Sequence, residues 1–158
     1  MMFHITGSGH RVRESVEDIA KFAIQKLLPR TNHIFIDIQL IPNLLKKEGC
    51  YGDCIYSDNA DPLRPKEFTV RVDSRLEKRK LLTTVAHEMV HVKQFFKGEL
   101  YDSSVKEKTR WQGKWMSRNK LDYWDQPWEI EAHGREIGIF IQWAEARGIG
   151  RQKWTWED

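Results

Sequence analysis

One short run in the chain, His87-Glu88-Met89-Val90-His91, has the residue types and the spacing for metal chemistry. Residues four apart on a helix lie one above the other on the same face. His87 and His91 would therefore offer two imidazoles to one cation, with Glu88 beside them within reach of a water on that cation. Neutral imidazoles, near-tetrahedral geometry and one position left for water point to zinc (Zn2+). Zinc lowers the pKa of such a water toward about 7, so Glu88 would serve as general base near neutral pH. The bland alternative is a pair of surface histidines and a glutamate on an amphipathic helix. The neighbours Val85, Ala86, Met89, Val90 and Val92 argue against it, because they predict a buried helix. Buried, unpaired imidazole and carboxylate groups cost several kcal/mol. Lys93 is the one departure, standing where an apolar or small residue is usual.

A catalytic zinc site needs a third protein ligand. Downstream candidates are Glu99, Glu107, Asp122, Asp125, Glu129, Glu131, His133 and Glu136. The run Pro127-Trp128-Glu129-Ile130-Glu131-Ala132-His133 stands out because it opens a long helix. A carboxylate projecting from one helix onto another would complete the site rigidly. Glu129 and Glu131 point in different directions from such a helix, so only one of them can face inward. Glu136 reads as part of a solvated acidic face.

With these residues the chain resembles the glutamate-ligand zincins: the HtpX-like proteases, the ImmA/IrrE metallopeptidases and the compact minigluzincins. In them HExxH is followed by a helix bearing Glu-x-x-Ala and then often Asp or Asn. Glu129-Ile130-Glu131-Ala132 matches that run, with His133 in place of the acid or amide. The resemblance implies that Glu129 is the third ligand; helix direction alone leaves Glu131 as the alternative. It implies a supporting role for His133, orienting a ligand imidazole or contacting substrate. It also implies a zinc metallopeptidase acting on peptides or proteins. The SprT-like proteases share HExxH but use a third histidine, for which His133 is the only downstream residue. Glu48-Gly49-Cys50 is similar to the cysteine-ligand motif of peptide deformylases, a lesser reading because Gly7-Ser8-Gly9-His10 matches their glycine-rich motif poorly. A third class of reading is a regulatory protein of zincin fold with narrow or no proteolytic activity, its metal structural or vestigial.

These residues need elements to position them. Val16, Ile19, Ala20, Ala23, Ile24, Leu27 and Leu28 give residues 15–28 a helical period, ended by Pro29. Residues 33–41 alternate as a strand, 51–56 read as a second strand, and 57–65 as a loop carrying Asp58, Asn59, Asp61, Pro62 and Pro65. Residues 67–73 alternate cleanly and read as an exposed or edge strand, above which an extended substrate would lie. A helix is expected over 75–96, ending at Gly98, and another from Pro127 to Gly148. Its apolar stripe is Ile130, Ile137, Phe140, Ile141 and Ala144. The stretch 99–126 gives no clear element. The fold class expected is α+β and zincin-like: a small twisted sheet on the HExxH helix, and a second helix supplying the third ligand.

The 158 residues fit one domain, with a core over about 14–148. Hydrophobic residues at 40% and charged residues at 31% describe a globular chain with a real core. Two cysteines, Cys50 and Cys54, fit neither a disulfide framework nor a closed zinc site. No run approaches the roughly 18 apolar residues of a membrane span, and residues 1–13 lack the pattern of a leader. The expectation is therefore cytoplasmic, with no membrane partner. The net charge of +3 alone names no partner. The segment 106–120, however, holds six basic residues and one acid, interleaved with Trp111 and Trp115. That mixture suits a solvated loop, a wall of a peptide cleft, or a track for single-stranded nucleic acid. Tyr101 and Tyr123 are the phenols that could steady a developing oxyanion.

Overall fold

Three alternating segments and three long helices carry the core. The structure, a computed structural model, describes residues 1–57, 63–103 and 105–156. It is an α+β fold built on a small mixed sheet, with a second, three-stranded sheet alongside. Strand β1 (Met2–Thr6) leads through helix α1 (His10–Leu27) to β2 (Phe35–Ile41), which lies parallel to it. A parallel pair needs such a long crossover. A short helix α2 (Leu44–Glu48) and strand β3 (Gly52–Tyr56) follow, then β4 (Glu67–Asp73). The sheet order is β1-β2-β4-β3, with β4 parallel to β2 and antiparallel to β3.

Period-two alternation turns Ile36, Ile38 and Leu40 of β2, and Phe68, Val70 and Val72 of β4, to the same buried face. Helix α1 covers that face with Val16, Ile19, Ala20, Ala23, Ile24 and Leu27. Helix α3 (Lys78–Phe96) is buried at every residue from Leu81 to Phe95. A helix covered all round must be walled on several sides. Here α1, α4 (Pro127–Ala146), β3 and β4 supply those walls. Asp73, at the end of β4, accepts from the backbone N–H of Arg75 and of Leu45, which ties the turn into α3 to α2.

Several expectations change. The first helix begins at His10, and β1 was not expected. Its alternation is short, and only Phe3 and Ile5 pack on the core. Residues 67–73 form an inner strand, not the edge. Thr69 and Arg71 look solvent-facing because they lie on the sheet's uncovered side, where Arg71 is held by Glu48 and Asp53. The edge beside α3 is β3. The stretch without a clear element is an antiparallel sheet of β5 (Leu100–Ser103), β6 (Lys108–Trp111) and β7 (Lys114–Met116). The loop expected over 57–65 has Asp58, Asn59, Asp61 and Pro62 outside the described residues. Among the described residues no helix is long and apolar enough to cross a membrane.

The stripe expected on α4 is half right. Phe140 and Ala144 are buried, together with Trp128, Ala132, Ile139 and Trp143, whereas Ile130, Ile137 and Ile141 face outward. The helix is apolar on more than one side, so period alone could not choose the inner face. Phe140→Ala should therefore cost about 3–5 kcal/mol of stability. Ile130→Ala, at a side chain 57% exposed, should change it by less than about 0.5 kcal/mol. Chemical denaturation of both variants checks the assignment, and equal effects would contradict it.

Candidate metal centre

Helix α3 sets His87 and His91 one turn apart, and the first turn of α4 brings Glu129 up to them. Pro127 starts that turn, and a carboxylate there is favoured by the helix dipole. The two imidazole Nε2 atoms lie 3.1 Å apart. Glu129 places Oε2 3.1 Å from His87 Nε2 and Oε1 3.3 Å from His91 Nε2. These three buried residues form a group that could hold a metal ion.

The surrounding bonds decide which ring nitrogens carry hydrogen. Gln94 Nε2 donates to the Trp128 carbonyl and to Glu131 Oε1, so its Oε1 must be the atom facing His91 Nδ1, at 2.8 Å. Only an Nδ1–H can donate to that oxygen. Likewise, Glu136 Oε2 lies 2.7 Å from His87 Nδ1 and accepts its hydrogen. Both rings are thereby turned with their Nε2 lone pairs toward Glu129. Two lone pairs and a carboxylate converging on one point repel unless positive charge lies among them. Burial would push His87 down, but hydrogen bonds to Glu129 and Glu136, with Glu88 nearby, raise its pKa to about 10. A proton thus supplies the positive charge that a metal cation would replace on binding. Burial would raise Glu129, yet the two histidines hold its carboxyl well below the usual range.

Glu88 faces the same cleft. It is 3% exposed, and its Oε2 is buried with no hydrogen-bond partner. Burial, opposed by His91 and His87 and assisted by Glu129 and Asp53, pushes it up to about 7. Gly52 of β3 makes room for it. A Cβ at that position would stand 2.8 Å from the Arg71 carbonyl oxygen and 3.1 Å from Glu88 Oε1. The cleft, about 700 Å³, runs along α3 from Tyr51 and Lys80 at one end to Phe95, Leu100 and Trp128 at the other.

Tyr123 joins the cluster. Its hydroxyl donates to Glu129 Oε2 at 2.8 Å and lies 3.0 Å from His133 Nε2. Burial and the Glu129 carboxylate raise the phenol, so it keeps its proton. The His133 ring packs between His87 and Trp124, with centroids 4.5 and 4.8 Å away. It stands outside the His87–His91–Glu129 group, and the carboxylate that orients His87 is Glu136. Tyr101 sits apart, in a row with Arg110 and Trp115. Cys50 lines the cleft but groups with Glu48 and Asp53, whose carboxylates are engaged by Arg71.

Glu131 and Glu136 both depart from the roles expected of them, alternative ligand and solvated face. Glu131 turns away from the centre to Lys93 Nζ at 2.9 Å, to Gln94 and to Arg135. Lys93, only 6% exposed, is the off-pattern residue, and its ammonium is shared between Glu131 and Glu99. Glu136 belongs to the site and not to a solvated face. Its spacing was the available signal, since seven residues from Glu129 is two helical turns. Gln94, Trp124 and Gly52 were also missed.

Glu136→Ala should weaken metal binding about 10–100-fold by freeing the His87 ring, measured with zinc as the probe by competition with a chromophoric chelator. Glu131→Ala should lower thermal stability, because Lys93 loses a partner, and should weaken metal binding less than Glu136→Ala does, since Glu131 acts on His91 only through Gln94. An unchanged affinity in the first variant would remove Glu136 from the site. Compared with known proteins, the chain matches no family model, no curated protein and no solved structure.

Proposed function

We propose that this chain is a zinc-dependent peptide-bond hydrolase, a zincin of the glutamate-ligand kind, with His87, His91 and Glu129 as ligands. The observation that carries the reading is the convergence of two oriented imidazole lone pairs and a buried carboxylate beside a second, unpartnered carboxylate. A tetrahedral zinc site with bonds of about 2.0–2.1 Å has donor separations of about 3.3 Å. The Nε2 atoms, 3.1 Å apart, have such a separation, and each has a different Glu129 oxygen within 3.3 Å, so a small shift of the carboxylate would complete the set. Imidazole nitrogens with one carboxylate also suit zinc better than the hard cations magnesium and calcium.

When bound, zinc would polarise the scissile carbonyl and acidify a water. The rest falls to the chain's own residues. Glu88 takes the water's proton at its carboxylate and passes it to the leaving amine. Its burial keeps bulk water from competing. Tyr123, a protonated phenol at the centre, would turn its hydroxyl from Glu129 to the carbonyl oxygen as negative charge develops there. His133, in contact with that phenol, positions it.

The edge strand supports a peptide as the substrate. Asp73 N–H bonds the Tyr51 carbonyl, and Ser57 N–H bonds the Glu67 carbonyl. Alternation along an antiparallel ladder then makes 53 and 55 the paired positions and turns the backbone of Gly52 and Cys54 away from β4. An extended peptide can bond those groups and lie along α3 across Glu88.

Glu88→Gln should bind zinc as the parent protein does and lose at least about 100-fold in turnover of a casein or peptide substrate. Zinc content and activity measured on one preparation test this. Full activity in the variant, or chelator-insensitive activity in the parent, would refute the mechanism.

A further inference from the structure

The β5–β6–β7 sheet has two chemically different faces. Leu100 and Asp102 line the cleft, and the Asp102 carboxylate stays on that side, accepting from Thr109 and pairing with Arg118. Strand alternation turns the intervening residues outward. On that outer face Tyr101, Arg110 and Trp115 stand opposite one another across three strands. The Arg110 guanidinium lies 5.2 Å from the Tyr101 ring and 5.7 Å from the Trp115 ring, and Lys106 Nζ lies 4.4 Å from Trp115. Lys108, two residues before Arg110, extends the same face.

These cations are gathered on one face beside aromatic rings. Arg71, Lys93 and Arg147 each have carboxylate partners. Among the described residues Lys106, Lys108, Arg110 and Lys114 have none within ion-pair distance. The one acid in the segment, Glu107, is exposed on the hairpin turn. Trp115 is 38% exposed, although its ring could bury a large area. Unneutralised charge alternating with an accessible indole fits a ligand with regularly spaced anions and flat, stackable surfaces.

We propose that the outer face of this sheet binds single-stranded nucleic acid, with Lys106, Lys108 and Arg110 on phosphates and Trp115 against a base. An acidic polypeptide would satisfy the charges and leave the indole without a partner of its own kind. The surface is separate from the metal centre, so it stands whether or not the cleft hydrolyses peptides.

The test is fluorescence anisotropy of the zinc-loaded protein with a labelled oligothymidylate between about 50 and 200 mM salt. Three phosphate contacts give a slope of log affinity against log salt near about −2 for a single strand. The double variant Lys108→Glu/Arg110→Glu should bind at least about tenfold more weakly, with a shallower slope. Trp115→Ala should lose about tenfold with the slope unchanged. Lys26→Glu/Arg30→Glu, a charge change of the same size at the exposed end of α1, should have no effect. Circular dichroism melts confirm that each variant is folded. Absence of binding at the lowest salt, or parent-like affinity in the double variant, overturns the proposal. Equal competition by a polyglutamate peptide overturns it in favour of an acidic protein, and equal binding of duplex removes the single-strand specificity.

Discussion

Two imidazoles aimed nitrogen to nitrogen at 3.1 Å are held together only if positive charge lies between them and Glu129. The rest of the architecture around α3 can be understood as enforcing that arrangement. Gln94 and Glu136 fix the ring orientations by taking the Nδ1 atoms, which leaves both Nε2 atoms facing Glu129. Gln94 is in turn fixed by two acceptors, Trp128 and Glu131. Orientation passes inward through hydrogen bonds, each of which has a defined donor.

The same network explains a buried lysine in a helix otherwise walled by apolar groups. Removing an ammonium from water is costly, and excellent pairing only offsets the penalty. The contribution of Lys93 is therefore better sought in register than in stability. By joining Glu131 of α4 to Glu99 just before β5, it fixes how far α4 slides along α3. A slide of one residue would turn Glu129 away from the histidines. Apolar packing alone would tolerate such a slip, because α4 is apolar on its outer side as well.

What the sequence revealed follows the range of each interaction. His87, Glu88 and His91 share one helical turn, so spacing alone placed them on a common face. Glu129 was reachable through the resemblance of its surrounding run, and Tyr123 through nearness in the chain. Glu131 and Glu136 were assigned wrongly, since which of them reaches the histidines depends on the rotation of α4 about its own axis. That rotation is set by Trp128, Phe140 and Trp143, which compete with isoleucines of similar hydrophobicity. Strand order was hidden for a related reason. Alternation in β4 reports one covered face and says nothing about its neighbours, and Arg71 made an inner strand resemble an edge. β1 was lost because two half-buried side chains in five residues are too weak a signal.

A net charge of +3 conceals a strong separation of sign. Glu88, Glu129 and Glu136 gather around three histidines in the cleft, while Lys106, Lys108 and Arg110 lie on the far side of the second sheet. Asp102 and Thr109 mark the boundary, since their bond turns the acid inward and leaves the outer row without compensation. One thin sheet thus keeps apart two surfaces that would neutralise each other if they met. If a cation fills the inner cluster, as the donor geometry favours, its local charge falls, but the outer row stays unmatched.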